Sequence, residues 1–184
     1  NDDLIKDATE FDTVDEYRAD IKSKLEEAAV QQADSAFENA VMNALIEKVD
    51  APIPNCMFEQ RIDALMRSFE QQLRQQGMDL KLYFQYTGMD ADSFRDTYRD
   101  RAVNEVKLRL ALEKIAEVEN LEPTEEEINN GLADVAAANN MDVETVKRFI
   151  PMEDYIEDLR VQKAVDLVKE NAVVDNTLAE DKAE

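Results

Sequence analysis

The sequence predicts an all-α fold, and three observations carry that prediction. Among 184 residues there are three Gly and four Pro, while Ala, Leu, Glu, Gln, Lys and Arg, the strongest helix formers, are abundant. Apolar residues recur three and four positions apart through most of the chain, and the alternating runs that build strands are nearly absent. The periodic segments also open on residues whose short polar side chains can cap a helix.

The first segment begins at Thr13-Val14-Asp15-Glu16, which has the form of a capping box. The Thr13 hydroxyl can accept from the Glu16 N–H while the Glu16 carboxylate reaches back. From Val14 to about Val49 there is no Gly or Pro, and Tyr17, Ile21, Leu25, Ala28, Phe37, Val41, Ala44 and Leu45 return at helical spacing. Such a helix is about 54 Å long, against a diameter of roughly 40 Å for a compact globule of this length, so it must kink or project. Ala51-Pro52-Ile53-Pro54 ends it, because proline has no N–H to continue the ladder, and Asn55 is expected to cap the second helix. Phe58, Ile62, Leu65, Met66, Phe69 and Leu73 then form the cleanest amphipathic stripe of the chain, closed by Gly77 in a left-handed cap.

Asp79 opens a short helix, Leu80 to Thr87, with Leu80, Leu82, Tyr83, Phe84 and Tyr86 nearly all round it and Gly88 at its end. Asp90 or Asp92 caps the next, from Ser93 to about Glu119, whose second half is apolar on more than one side. Thr124-Glu125-Glu126-Glu127 is another capping box, opening a segment of Ile128, Leu132, Val135 and Ala136 that Asn139-Asn140 breaks. Asp142 caps a two-turn helix through Val146 and Phe149, and Pro151 separates it from a last helix through Tyr155, Leu159, Ala164 and Val168. After Val174 the chain is small, polar and acidic, and disorder is expected there.

Acidic residues number 43 against 21 basic, a formal charge of -22. That balance repels phosphate backbones and anionic lipid, so direct nucleic-acid binding and membrane binding are not expected. It also serves plain solubility. No apolar run approaches the roughly 18 residues of a membrane span, and the N-terminus is acidic where a signal peptide would be basic. A chain that begins at Asn1 is expected to be a piece of a longer protein.

Chemistry finds little purchase. Without His no Ser-His-Asp or Cys-His relay can form, and the one cysteine, Cys56, is expected to be a small buried or half-buried residue near a helix start. Glu125-Glu126-Glu127 and Glu153-Asp154 are sequence neighbours, each about 100° from the last around a helix, so they cannot converge on a metal. No catalytic, metal or cofactor residue is assigned. The informative set is the methionines, Met42, Met57, Met66, Met78, Met89, Met141 and Met152, interleaved with large aromatics. Either these are ordinary core, or they form an adaptable surface for varied apolar partners.

Four stretches resemble the C-terminal region of bacterial trigger factors. Asp2-Asp3 with Glu10-Phe11-Asp12-Thr13 and Glu16-Tyr17-Arg18-Ala19-Asp20-Ile21 is similar to the junction where the family's isomerase domain ends and its first arm begins. Pro52-Ile53-Pro54, Ile62-Asp63 and Gln71-Gln72-Leu73-Arg74-Gln75-Gln76-Gly77 resemble the arm hairpin. Val106-Lys107 through Ile115-Ala116 with Thr124-Glu125-Glu126-Glu127-Ile128 resembles the body, and Leu167-Val168-Lys169-Glu170-Asn171-Ala172-Val173-Val174 the ending. Asn55-Cys56-Met57-Phe58, Asn120 and Pro123 depart from the family's usual residues and alter local capping only.

The resemblance implies an elongated domain over 1–174, a helical body with two projecting arms, and an acidic tail over 175–184. One arm would run from about Thr13 to Leu73 and the other from the last segments, with Ile62, Leu65 and Leu73 holding the hairpin together. The cleft between the arms would hold unfolded or nascent polypeptides without ATP or other cofactor. Phe58, Met66, Phe69, Met78, Tyr83, Phe84 and Tyr86 would line it from one arm, and Val135, Val146 and Phe149 from the other. It further implies a cytoplasmic protein, not an enzyme in this chain, with prolyl isomerase activity and ribosome contact in other domains of the parent protein. A homodimer is allowed. A helical scaffold with one fixed partner and a periplasmic chaperone of the SurA type are the alternatives.

Overall fold

The computed structural model describes Asp2 and residues 9–174; the expected tail over 175–184 lies outside the described residues. Among these the regular elements are seven helices: α1 Val14–Glu47, α2 Asn55–Gln75, α3 Leu80–Thr87, α4 Ala91–Val118, α5 Glu125–Ala138, α6 Val143–Phe149 and α7 Met152–Glu170. The all-α class is as the sequence predicts.

The caps follow the sequence closely, because each is decided within four residues. At α1 the Glu16 N–H donates to the Thr13 hydroxyl at 3.2 Å and the Thr13 N–H to the Glu16 carboxylate at 3.2 Å. Asp79, Asp90 and Asp142 each accept from a backbone N–H three residues on, at 2.7, 2.8 and 2.9 Å, and Thr124 with Glu127 closes the full reciprocal box. At α2 the expectation fails. Pro54 is the capping residue, no side chain caps the helix, and Asn55 is already its first residue, since proline's fixed φ suits a helix entry. Among the described residues four hold positive φ: Gly77 and Gly88 at 74° and 71°, and Asn120 and Asn140 both at 52°. The asparagines end α4 and α5 in the left-handed role usually given to glycine.

The chain forms two compact units, Asn1–Asn43 and Ala44–Glu184. In the first unit α1 is continuous, and Leu25 and Val30 stand 65% and 61% exposed, so the apolar periodicity there has no cover within the unit.

In the second unit α2 packs against α4, α4 against α7, and α5 against α6. Ile62, Leu65 and Ala102 form the buried strip between α2 and α4, with Met66 and Tyr98 against it. Flanking that strip, Arg95 pairs with Glu59 at 2.8 Å and with Asp63, Arg99 with Glu59 at 3.0 Å, and Arg61 with Glu105 at 2.5 Å. A second strip, Leu132, Ala136 and Val146, joins α5 to α6, and Tyr155 and Met152 of α7 lie on it. Arg109–Asp158 at 2.6 Å ties α4 to α7, Arg160–Glu122 at 2.6 Å ties α7 to the loop before α5, and Lys163–Glu127 at 2.8 Å ties α7 to α5. No polar or charged residue is among the buried ones described, so apolar strips two or three residues wide, edged by ion pairs, hold these helices.

Candidate functional site

Three of the aromatic residues singled out in the sequence, Phe69, Tyr83 and Phe84, converge where α2, α3 and α4 meet. Phe94, 3% exposed, is the hub. Its ring centroid lies 5.2 Å from Phe69, 5.7 Å from Tyr83, 5.4 Å from Phe84 and 5.2 Å from Tyr98, mostly edge to face. Phe69 and Tyr83 close the ring at 5.1 Å. Such contacts add about 0.5–1.5 kcal/mol per pair beyond burial, so the inner faces of Phe69, Tyr83 and Phe84 are structural. Each is half-buried and turns its remaining surface to solvent. Burial pushes the Tyr98 phenol above its ordinary range.

Around this hub the other expected residues divide. Tyr86 stands 79% exposed at the end of α3, a turn away from the packed Tyr83. Met66 is half-buried against the Ile62 strip, and its sulfur accepts from the Arg95 guanidinium at 3.6 Å. Phe58 and Met78 are half-buried, and the Met78 N–H donates to the Leu73 carbonyl at 2.9 Å in the turn after α2.

The α5 and α6 set is only partly a surface. Val146, expected on the exposed patch, is 3% exposed within the Leu132–Ala136 strip, because α6 lays its one apolar face on α5. Val135 is half-buried against the same strip, and Phe149, at the last position of α6, is 75% exposed. Cys56, expected to be at least half-buried, is exposed: it is the second residue of α2, off the Phe58–Ile62 face.

Some exposed apolar residues lie outside the expected site. Leu25, Val30 and Val118 are each more than 60% exposed, and Leu82 and Met141 stand near 40%. Periodicity places a residue on a helix face but is silent on whether another helix covers that face. Among the described residues no group of three or more His, Cys, Asp or Glu is placed to hold a metal ion, and no helix is long and apolar enough to cross a membrane.

A family model described as the C-terminus of the bacterial trigger factor protein matches residues 13–170, from the capping residue of α1 to the last residue of α7. The chain belongs to the bacterial trigger factor family. It is 39% identical over 175 residues to the trigger factor of Ruminiclostridium cellulolyticum and 37% identical over 177 residues to that of Acetivibrio thermocellus. With the trigger factor of Bacillus thuringiensis it shares 38% over 174 residues. These matches cover 94%, 95% and 94% of this chain but 41% of each relative, so it spans about two-fifths of the length of the curated trigger factors it matches. No solved structure matches the chain significantly. All seven helices therefore lie within the trigger factor C-terminal region, and the aromatic surface on α2, α3 and α4 is part of it.

Proposed function

We propose that this chain is an ATP-independent chaperone domain that holds unfolded or nascent polypeptides by apolar contact. The observation that carries the reading is the aromatic hub. Its inner rings are locked on Phe94 while Tyr86 and the outer surfaces of Phe69, Tyr83 and Phe84 face solvent. A rigid aromatic platform of this kind gives contact area at little entropic cost, and Met66 and Met78 beside it supply the adaptability that varied clients need. Phe149, with Val135, offers a second contact on α5 and α6. The trigger factor family and the apolar character of the surface support a cradle lined by Phe58, Met66, Phe69, Met78, Tyr83, Phe84, Tyr86, Val135 and Phe149. Val146 is left out as core.

Burial of about 300 Å² gives a gross gain of about 7 to 8 kcal/mol at ~25 cal/mol per Å², much of it offset by ordering both partners. Binding should accordingly be micromolar or weaker and quickly reversible, as a holding chaperone requires. The net charge of -22 keeps such a surface soluble. On this reading the protein works in the cytoplasm, and prolyl isomerisation and ribosome contact belong to other parts of the family's longer chains. With the family shown, the SurA-type alternative has no observation in its favour.

The test is light scattering from an unrelated, chemically unfolded protein diluted into buffer with the chain and no nucleotide. Suppression of aggregation near a one-to-one ratio is expected. Unchanged scattering at a several-fold molar excess overturns the reading.

A further inference from the structure

Met66 of α2 has a polar group held against its sulfur. The side chain packs on the buried strip of Ile62, Leu65 and Ala102 between α2 and α4, and Nη1 of Arg95 on α4 donates to the sulfur at 3.6 Å. The same nitrogen donates to Asp63, and Nη2 donates to Glu59 at 2.8 Å. Two carboxylates of α2 thus fix the guanidinium, and one N–H of Nη1 is spent on a thioether, a weak acceptor. Among the described residues no other methionine sulfur has such a donor.

A two-electron oxidation of methionine replaces a flexible apolar side chain with a polar sulfoxide. In an apolar strip the added oxygen is costly unless a donor meets it. At Met66 the donor is already in place. An oxygen added to the sulfur and bent toward Arg95 falls within the roughly 2.7–3.2 Å of an N–H···O bond, and a charged donor strengthens that bond. Met66 is half-buried, within reach of a small oxidant, whereas Met42 is 8% exposed and has no donor at its sulfur.

We infer that Met66 is a site of reversible oxidation: a peroxide converts its thioether to the sulfoxide and Arg95 receives the new oxygen, so the fold persists while an apolar contact beside the aromatic hub turns polar. The sulfur lone pair attacks one oxygen of hydrogen peroxide, and the S–O bond forms as the O–O bond breaks. Sulfur gives up two electrons. The departing hydroxide takes the proton left on the transferred oxygen and leaves as water. The consequence for a client rests on the chaperone reading above, and adds to it a means of lowering affinity and restoring it.

The test treats the chain, with Cys56 alkylated, with hydrogen peroxide in graded amounts and follows each methionine by peptide mass. Met66 should be oxidised at least about fivefold faster than Met42. Melting temperature and the affinity of one permanently unfolded client are read before and after, and the same change in Met66→Leu is subtracted to isolate Met66. Its oxidation should shift melting by less than about 2 °C in the unaltered chain and by more than about 4 °C when both chains carry Arg95→Ala. Should Arg95→Ala fail to fold, Met66→Gln, which sets a fixed oxygen near Arg95, should melt within about 4 °C of the unaltered chain. Client affinity should fall about threefold on oxidation and return with methionine sulfoxide reductase. Met66 intact while Met42 is oxidised, or a melting shift that is the same with and without Arg95, overturns the inference. So does a loss of about 8 °C or more in Met66→Gln. Client affinity that oxidation leaves unchanged, with aggregation still suppressed, also overturns it and leaves the chaperone reading standing. A chain that suppresses no aggregation before oxidation ends the chaperone reading, and peptide mass and melting then decide the oxidation site alone.

Discussion

Gly131 of α5 lies against the hydroxyl of Tyr155 of α7: a Cβ built on the glycine would stand 2.1 Å from the phenolic oxygen and 3.5 Å from the ring carbon that bears it. No real pair of atoms sits at the first distance, while the second is ordinary contact. Tyr155 is packed on the Leu132–Ala136–Val146 strip, and burial together with the nearby Asp134 charge pushes its phenol above the ordinary range.

The missing side chain at position 131 is therefore what lets α5 and α7 share that strip. In an open helix, Gly to Ala gains about 1 kcal/mol. Here Gly131→Ala should instead lower stability by about 1 kcal/mol, because displacing Tyr155 costs about 1–3 kcal/mol. In a Tyr155→Phe background the same change should become neutral or stabilising, since only the 3.5 Å contact remains. A double-mutant cycle by denaturant melting checks this, and additive effects would disprove it.

Phe94 and Tyr86 should separate stability from binding. Phe94 is buried at the hub, and Phe94→Ala should cost about 3–5 kcal/mol. Tyr86→Ser, at a 79% exposed position, should change stability by less than about 0.5 kcal/mol while weakening an unfolded client. Thermal melts of the two variants beside client titrations provide the comparison.

Acid should loosen α5 and α7 in a definite window. Hydrogen bonding from Lys163, then from the Thr124 N–H, holds the Glu127 carboxyl at about 2 against an ordinary 4.5. The folded value is the lower one, so this contribution is complete above about pH 4.5 and is lost as the pH falls toward 2. Glu59, held low by Arg95 and Arg99, and Asp142, held low by Thr145, shift in the same direction. Glu127→Gln should flatten the melting temperature between pH 4.5 and pH 2 relative to the unaltered chain. An unchanged pH profile contradicts the assignment.

Asn120 and Asn140 carry a φ of 52°, where a side chain is strained. Asn120→Gly should raise stability by about 0.5 kcal/mol, and Asn120→Val should lower it by about 1 kcal/mol or more. Chemical denaturation of the pair checks the sign.

What the sequence made legible was whatever is decided locally. The boxes at Thr13 and Thr124, the caps at Asp79 and Asp142, and the left-handed Gly77 and Gly88 each depend on a few consecutive residues. The stripe of α2 was legible too, with Ile62, Leu65 and Leu73 buried along it. The partners of each stripe were not. Val146 and Phe149 sit three residues apart in one short helix, yet one lies under α5 at 3% exposure and the other is 75% exposed. Nothing in their spacing distinguishes them, because the answer belongs to the helix that covers them. Cys56 and Leu25 came out exposed for the same reason.

The most direct test of the central claim is a paired measurement on a Tyr86→Ser, Phe149→Ser double variant: its melting temperature, and the affinity of one permanently unfolded client. Both residues are more than 70% exposed, so the account predicts a melting temperature within about 2–4 °C of the unaltered chain. Client affinity should fall about fivefold or more. A client affinity that stays unchanged in the folded variant, or one that falls only in step with a loss of stability, would contradict it.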